Sequence, residues 1–299
     1  MNHFLDIDLI DTGTIKKLLA FGHKLKIKKE AKYLNGEILA MIFEKPSTRT
    51  RVSFEIGIKQ LNGDAVILDQ NDTQLGRGES IQDTIKVISK YASVIMYRGT
   101  SEKRLKSIVS SSNVPIINGL TDKSHPCQIM ADLMTLEEKY KDINNLIITW
   151  VGDGNNVCNS WIHSCKHFNF EFRICSPKKY SPNLFEVEKI NNLGKKIKLF
   201  DDPRLAVKDC DVVVTDTWVS MGMKDESERI SEFKDFQVNQ KLMNYSKKKT
   251  SFLHCLPAHR GYEVSADVID GENSLVWEEA HNRLHIQKAI LLWCLEKKI

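Results

Sequence analysis

Short apolar segments alternate with amphipathic helical patterns along the chain, and this alternation most restricts the folds open to it. Such an order is typical of β-α-β units, in which helices connect parallel strands. The 299 residues suffice for two domains of ordinary size. We therefore expect an α/β protein with two domains, each a mainly parallel sheet flanked by helices. The predicted strands are residues 38–43, 65–68, 93–97, 114–118, 146–151, 170–175, 211–215 and 251–254.

One helix and one polar run indicate where the chain passes between domains. Proline is favoured at the first position of a helix, and Pro126 precedes apolar residues at helical spacing as far as Tyr140. The polar run from Lys139 to Asn145 is typical of a linker. A last helix, starting near Leu284, is expected to pack back onto the first half. The predicted domains are residues 1–140 with 284–299, and residues 141–283.

Composition and charge exclude several classes of function. Hydrophobic residues make up 41% and charged residues 27% of the chain, as in soluble globular proteins. No apolar run reaches the ~18 residues of a membrane span, and the N-terminus does not resemble a signal peptide. The seven cysteines show no framework spacing, so we expect reduced thiols and a cytoplasmic location. A net charge of +4 suits small anionic substrates and gives little support for binding nucleic acid or membranes.

The segment from Glu44 to Arg51 carries a strong chemical signal because it joins a predicted buried strand to an amphipathic helix. Ser47 is a good N-cap, and Pro46 is a further helix-start signal. Hydroxyl and guanidinium groups therefore gather where free backbone N–H groups and the helix dipole favour an anion. The pattern predicts a phosphate site. The alternative is an ordinary capped helix with solvated arginines.

Two further polar motifs follow predicted strands in the first half, where open α/β sheets bind ligands. Arg98 ends a strand and precedes Gly99, a place from which its guanidinium can contact phosphate or polarise a carbonyl. A surface arginine beside a turn is the alternative. His125 and Gln128 stand at a helix start, where they could donate to a carbonyl oxygen and accept from an NH2 group. A capped helix with a satisfied histidine is the alternative there.

Two loops of the second half combine carboxylate, amide and hydroxyl groups. Residues Gly152 to Asn156 follow a strand, but Val157 replaces the third glycine of the dinucleotide fingerprint, which argues against a Rossmann cofactor. The paired asparagines could instead bind an amino-acid head group. Asp216, in the motif that ends at Gly222, could hold an ammonium group, although aspartate is also common in structural turns.

The motif His254-Cys255-Leu256-Pro257 follows the last predicted strand. Together with His259 it raises the alternative of a zinc site, but it lacks a paired Cys-x-x-Cys, so no metal is expected. A cysteine beside a substrate amine is the functional interpretation of Cys255. An inert buried thiol is the alternative.

The order and spacing of these motifs resemble the aspartate/ornithine carbamoyltransferase family over nearly the whole chain. Four motifs carry the resemblance: Ser47–Thr50, His125–Gln128, Asp216–Gly222 and His254–Pro257. The first is similar to the family's carbamoyl-phosphate signature, and the other three match its ornithine branch. An aspartate enzyme would be expected to carry threonine in place of Cys127.

The resemblance implies an activity and an architecture. The activity is transfer of the carbamoyl group of carbamoyl phosphate to the δ-amine of L-ornithine, giving L-citrulline and phosphate without a metal or cofactor. The architecture places the active site in the cleft between the two domains. It also implies a homotrimer or a multiple of trimers, in which Gln74 of one subunit reaches into the site of its neighbour.

The resemblance further implies roles for individual residues. Arg98 would bridge the phosphate and the carbonyl oxygen, His125 would donate to that oxygen, and Cys255 is the candidate proton acceptor. The expected carbamoyl-phosphate ligands are Ser47, Thr48, Arg49, Thr50, Gln74, Arg98, His125 and Gln128. The expected ornithine ligands are Asn156, Asp216, Ser220, Met221, Cys255, Leu256 and Arg283.

Two other functions remain open at this point. A sister transferase would act on another amine, such as putrescine or an acylated ornithine, but Asp216 and Ser220 have a clear role only with an α-amino-acid head group. A non-catalytic phosphometabolite-binding or regulatory protein would be expected to have lost at least one of four residues. All four are present: Arg49, Arg98, His125 and Cys255.

Overall fold

The computed structural model describes residues 1–27, 32–70, 74, 78–219 and 225–297. The chain divides into two compact units, which are Met1–Met134 with His281–Ile299, and Thr135–Ala280. Each unit is built on one parallel sheet flanked by helices, which confirms the predicted fold class. None of the helices in the described ranges is long and apolar enough to cross a membrane.

The two sheets share one design, in which every adjacent pair of strands is parallel. In the first unit the strands are β1 (Ile38–Phe43), β2 (Asp64–Asp69), β3 (Val94–Arg98) and β4 (Ile116–Leu120). In the second they are β5 (Ile147–Val151), β6 (Glu171–Cys175), β7 (Lys196–Phe200), β8 (Val212–Thr215) and β9 (Ser251–His254). The orders are β2-β1-β3-β4 and β7-β6-β5-β8-β9. The direction of winding therefore reverses between β1 and β3 and again between β5 and β8, and ligands of such sheets bind at these reversals.

Helices connect the strands and cover the faces of the sheets. They are α1 (Thr12–Ile27), α2 (Thr48–Gln60), α3 (Ile81–Ile88), α4 (Glu102–Ser111), α5 (Pro126–Tyr140), α6 (Asn156–Ser164), α7 (Leu184–Asn191), α8 (Pro203–Val207), α9 (Glu226–Phe233), α10 (Gln240–Met243), α11 (Ala266–Ile269) and α12 (Val276–Cys294). Short polar side chains set several of the starts. Ser47, Ser80, Ser101 and Asn155 each accept a backbone N–H of the following turn, which satisfies a donor that the helix leaves free.

The core of each unit follows from the two-residue period of its strands. On one face of the first sheet, Ile42 of β1 and Ile95 of β3 pack with Ile85 of α3 and Leu105 of α4. Alternate residues of a strand point to opposite faces, so the other face needs its own layer of helices. In the second unit, Phe252 of β9 belongs to a cluster that includes residues of β5 and β8.

The elements differ from the sequence predictions at two places. All eight predicted strands are present, but β7 was missed because Lys196 and Lys198 break its apolar run. Charged residues of this kind are usual on an edge strand, which β7 is. The predicted start of the last helix near Leu284 was wrong, since α12 begins at Val276. Its first turn is acidic, and the apolar spacing on which the prediction depended begins only later.

A buried lysine joins three helices of the first unit. Lys288 of α12 is fully buried, and its Nζ donates to the Leu25 carbonyl at 3.2 Å and to Gln60 Oε1 at 2.9 Å. These acceptors lie near the ends of α1 and α2. Burial lowers the pKa of Lys288 from 10.5 to about 8, because desolvation penalises the charged ammonium.

Because the pKa of Lys288 is lowered in the folded chain, the free energy of unfolding should increase with pH. Between about pH 8 and pH 10.5 the unfolded chain binds a proton that the folded chain has released, so the free energy of unfolding rises with pH there. Lys288→Met removes this titration. We expect the stability of the wild type relative to Lys288→Met to increase across that window, as measured by urea unfolding at a series of pH values. The exposed Lys90→Met is the control, and stability curves of wild type and Lys288→Met that stay parallel would contradict the expectation.

Candidate functional site

The first unit gathers polar groups where its sheet reverses direction, beyond the carboxyl ends of β1 and β3. The two loops are in direct contact there, since the Glu44 N–H donates to the Arg98 carbonyl at 2.9 Å. The loop after β1 leads at once into α2. Ser47 Oγ accepts the Thr50 N–H at 3.3 Å and so caps this helix. The first turn of α2 contains no acidic residue of its own to offset the positive end of its dipole.

Two guanidinium groups converge on the hydroxyl of Thr50. Arg98 Nη1 donates to Thr50 Oγ1 at 3.1 Å, and Arg283 Nη2 of α12 donates to the same atom at 2.8 Å. Thr50 is fully buried, Arg283 is 3% exposed and Arg98 is partly buried, so water screens the two positive charges from one another less than it would at the surface. Their repulsion is relieved when an anion binds between them, and planar guanidinium groups suit phosphate oxygens.

His125 shares this positive environment. It is 4% exposed and precedes the first residue of α5. Burial, and after it the charges of Arg283 and Arg98, hold the pKa of the imidazole well below its usual value. The ring is therefore neutral at pH 7, with one N–H to donate and one nitrogen to accept. We call Ser47, Thr50, Arg98, His125 and Arg283 the anion cluster.

The second unit gathers polar groups at its own reversal, beyond β5 and β8. Asn155 caps α6 through its side-chain oxygen and donates from Nδ2 to Asp216 Oδ2 at 2.8 Å. The other oxygen of Asp216 accepts the Thr217 N–H at 2.7 Å and the Cys255 thiol at 3.1 Å. Asp216 is 7% exposed. Three donors therefore hold this carboxylate in one orientation, next to a thiol.

The loops around Asp216 are tightly constrained. A side chain at Gly154 would lie 2.3 Å from the backbone nitrogen of Pro182, so only glycine fits. Asp153 pairs with Arg229, whose Nε also donates to the Trp218 carbonyl. Burial raises the pKa of Asp153 to about 6 in spite of this arginine, and the charge of Asp216 contributes to the rise. Arg229 thus ties the loop after β5 to the loop after β8.

The loop after β9 contributes the last residues of the polar cluster around Asp216 in the second unit. Cys255 is partly exposed, whereas the other six cysteines are buried. A ligand atom each from Asp216, His254 and Cys255 lies within 4.8 Å of the others, a spacing that a metal ion could bridge. However, His254 Nδ1 accepts the Leu256 N–H at 2.9 Å, and Nε2 lies 3.3 Å from the carboxylate of Glu263. Because both ring nitrogens are engaged, metal coordination would have to break one of these contacts.

The structure brings together most of the residues singled out from the sequence. Five of them form the anion cluster, and Asp216, Cys255 and Leu256 lie together in the second unit. Arg283, expected with ornithine, contacts Thr50. Gln128 is buried and donates to Asp132 Oδ1 at 2.8 Å. Three others are more open, since Thr48 and Gln74 are exposed and Arg49 is partly exposed.

Three further observations concern residues of the second unit. Ser220 and Met221 lie outside the described residues. Asn156 is the first residue of α6, and it is its neighbour Asn155 that bonds to Asp216. The sequence contained a signal for this, because asparagine before a helix is a typical N-cap. The Asp153–Arg229 pair was missed, and the residues are too far apart in sequence for a local pattern to reveal it.

Comparison with known proteins gives the same family along both halves of the chain. A profile described as "Aspartate/ornithine carbamoyltransferase, carbamoyl-P binding domain" matches residues 2–138, and one described as "Aspartate/ornithine carbamoyltransferase, Asp/Orn binding domain" matches residues 144–294. An ornithine carbamoyltransferase of Nitrobacter winogradskyi is 47% identical over 298 residues, which covers 98% of this chain and 97% of the relative.

Solved structures agree with the sequence relatives. An ornithine carbamoyltransferase from Pyrococcus furiosus has a TM-score of 0.93 at 43% identity and covers 97% of this chain and 96% of its own. An anabolic ornithine carbamoyltransferase from Campylobacter jejuni has a TM-score of 0.92 at 40% identity, with coverage of 98% and 99%. The likeness therefore extends over nearly the full length of both proteins in each comparison.

The hydroxyl of Thr50 should contribute both to stability and to phosphate binding, because two guanidinium groups donate to it. Thr50→Val keeps the shape of the side chain but removes the oxygen that accepts from Arg98 and Arg283. Loss of such an acceptor in a buried place costs about 1–3 kcal/mol, so we expect urea unfolding to show a destabilisation of this order. Calorimetric titration with inorganic phosphate should also show weaker binding. Thr50→Ser keeps the hydroxyl and is the control. Equal stability and phosphate affinity in the Val and Ser variants would contradict this interpretation.

Proposed function

This chain belongs to the aspartate/ornithine carbamoyltransferase family, and on that basis we propose that it transfers the carbamoyl group of carbamoyl phosphate to the δ-amine of L-ornithine, giving L-citrulline and phosphate. The observation that carries the proposal is the convergence of Arg98 and Arg283 on Thr50 at the start of α2. It creates a site of concentrated positive charge next to free backbone N–H groups, which suits a phosphate dianion.

Carbamoyl phosphate is already activated, because phosphate is a good leaving group. The protein therefore has to bind the dianion, stabilise charge on the carbonyl oxygen and hold the amine at attacking distance. We assign the phosphate to the first turn of α2 and to Arg98, with Gln74 of an adjacent subunit assisting. The residues of that turn and its cap are Ser47, Thr48, Arg49 and Thr50.

His125 and Gln128 are assigned to the carbamoyl group. The depressed pKa of His125 keeps the ring neutral, so it donates a hydrogen bond to the carbonyl oxygen without adding a further charge beside Arg98 and Arg283. As the amine attacks, negative charge grows on that oxygen, and donors placed in advance stabilise it. The Gln128 side-chain oxygen would accept from the carbamoyl NH2 group.

The group around Asp216 is assigned to ornithine. The carboxylate would hold the α-ammonium group, with Asn156, Ser220 and Met221 around the head group, and Cys255 and Leu256 would contact the δ-amine. The δ-amine must lose a proton when it attacks the carbonyl carbon. Cys255 would receive that proton and pass its own to Asp216, whose oxygen lies 3.1 Å from the thiol. Arg283 would complete the ornithine site in this proposal.

The test of the proposed reaction is a citrulline assay with purified protein, carbamoyl phosphate and either ornithine or putrescine. We expect citrulline from ornithine and little product from putrescine, because putrescine has no head group for Asp216.

Arg49→Lys should lose most activity, since a lysine cannot contact phosphate with two parallel N–H groups. The control is Arg51→Lys, since Arg51 is exposed and pairs with Asp69 at 3.5 Å. Preference for putrescine, or unchanged kinetics in Arg49→Lys, would overturn the assignment.

We further propose a homotrimer or a multiple of trimers, in a reducing cytoplasm that suits its seven free thiols. Apolar side chains that remain exposed on the first unit support an interface there, among them Val52 at 46%, Ile56 at 43% and Val66 at 51%.

Light scattering tests the assembly, because a trimer has about three times the 34.3 kDa of one chain. Ile56→Arg should reduce the measured mass, since it places a charge in the proposed interface. Leu193→Arg, at an exposed apolar residue of the second unit, should not. A wild-type mass of one chain would contradict the proposal.

A further inference from the structure

His254 is a fully buried histidine beside the proposed ornithine site, and the mechanism above gives it no task. We propose that His254, held in place by Glu263, is a positioning residue that fixes the Cys255–Leu256 turn and so sets the Cys255 thiol against Asp216. The proposal deepens the proposed function and rests on it only in the role given to Cys255. The contacts themselves lie within the second unit.

The hydrogen bonds of His254 determine which ring nitrogen carries the proton. A backbone N–H can only donate, so Nδ1, which accepts from the Leu256 N–H at 2.9 Å, carries no hydrogen. The proton of the neutral ring must then be on Nε2, which lies 3.3 Å from Glu263 Oε1. Glu263 is as fully buried as the histidine. The carboxylate therefore selects the tautomer that is able to hold the turn.

The backbone of the turn explains why an anchor is needed. Leu256 has φ of 58°, in the left-handed region that a leucine rarely adopts. Such a residue keeps this conformation only where neighbouring interactions impose it. The contact from Leu256 N–H to His254 Nδ1 is a local interaction of that kind. Without it, the turn is free to relax toward an ordinary conformation, and Cys255 would move with it.

The remaining contacts hold the histidine and its carboxylate rigidly. The His254 N–H donates to Glu279 Oε2 at 3.0 Å. Glu263 Oε1 accepts the His259 N–H as well, and His259 Nδ1 lies 3.1 Å from Thr217 Oγ1. Glu263 thus connects the loop after β9 to the loop that carries Asp216. Both partners of the Cys255–Asp216 contact are held by one network.

Two substitutions of His254 test the roles of its two ring nitrogens separately. In His254→Asn, the side-chain oxygen replaces Nδ1 and can still accept the Leu256 N–H. In His254→Gln, the amide NH2 replaces Nε2 and can still donate to Glu263, but the acceptor for Leu256 is lost. We therefore expect His254→Asn to stay close to the wild type, and His254→Gln to lose kcat and raise the ornithine KM by about tenfold or more in kcat/KM. The KM for carbamoyl phosphate should not change.

A second readout does not depend on the proposed reaction. Cys255 is the one cysteine that is partly exposed, so alkylation by iodoacetamide, located by mass spectrometry, reports its environment. His254→Gln should speed the alkylation of Cys255 about tenfold, and His254→Asn should leave the rate within about twofold of the wild type. His163→Gln removes another fully buried histidine of the second unit and is the control for general destabilisation.

If His254→Gln does not fold, the alkylation of Cys255 is measured in variants of Glu263 instead. Glu263→Gln keeps an oxygen that accepts from Nε2–H, whereas Glu263→Ala does not and so no longer selects the tautomer that accepts from Leu256, a selection that His254→Asn does not need. Faster alkylation in the Ala variant alone supports the proposal. Equal alkylation rates in His254→Asn and His254→Gln, or in the two Glu263 variants, would overturn it. A wild type that forms no citrulline would overturn the proposed reaction instead, and the alkylation rates would still decide the role of His254.

Discussion

The hydroxyl of Thr50 accepts from two guanidinium groups, that of the buried Arg283 and that of the partly buried Arg98, and the proposed chemistry of the first unit depends on this contact. Like charges are brought together only at a cost, unless an anion joins them. The first turn of α2 is already favourable to an anion through its dipole and its free N–H groups. Burial, and after it the same positive charge, lowers the pKa of His125 and keeps the ring neutral. In the proposed function, this positive charge would therefore contribute both to the phosphate site and to the neutral hydrogen-bond donor for the carbonyl.

In the proposed function the second unit has the opposite task, since its carboxylate, Asp216, would bind a cationic amino acid. Asp216 is fixed by three donors from three different loops, after β5, β8 and β9. Each loop leaves the carboxyl end of a strand at or next to the reversal of the sheet, which is why residues distant in sequence meet there. The two units therefore use the same parallel topology to present charges of opposite sign.

Local patterns predicted much of this structure because their physical causes are local. The apolar runs gave the eight predicted strands, and Ser47 caps α2 as its residue type indicated. The edge strand β7 was missed because its lysines hide its apolar residues. Contacts over long sequence distances could not be predicted in the same way. Arg283 lies 233 residues from Thr50, and neither residue carries a sign of the other in its own surroundings.

The contacts around Asp216 likewise could not be predicted from local sequence patterns. Its motifs were recognised one by one, but the bond from Asn155 depends on the helix cap, and the pairing of Arg229 with Asp153 depends on how α9 packs. Likewise, the engaged nitrogens of His254 follow from its burial against Glu263. Residue types at the strand ends indicate which chemistry is available. The tertiary packing decides which atoms take part in it.

The most direct test of the central electrostatic claim is a pH titration of His125 by nuclear magnetic resonance. Histidine labelled with 13C at Cε1 gives one signal for each ring, and the His125→Gln variant identifies the signal of interest. We expect this ring to stay neutral well below the ordinary histidine pKa of ~6.5. Saturating phosphate, by adding negative charge beside Arg98 and Arg283, should raise that pKa. A ring that titrates near its ordinary value in the free protein and does not respond to phosphate would contradict the account.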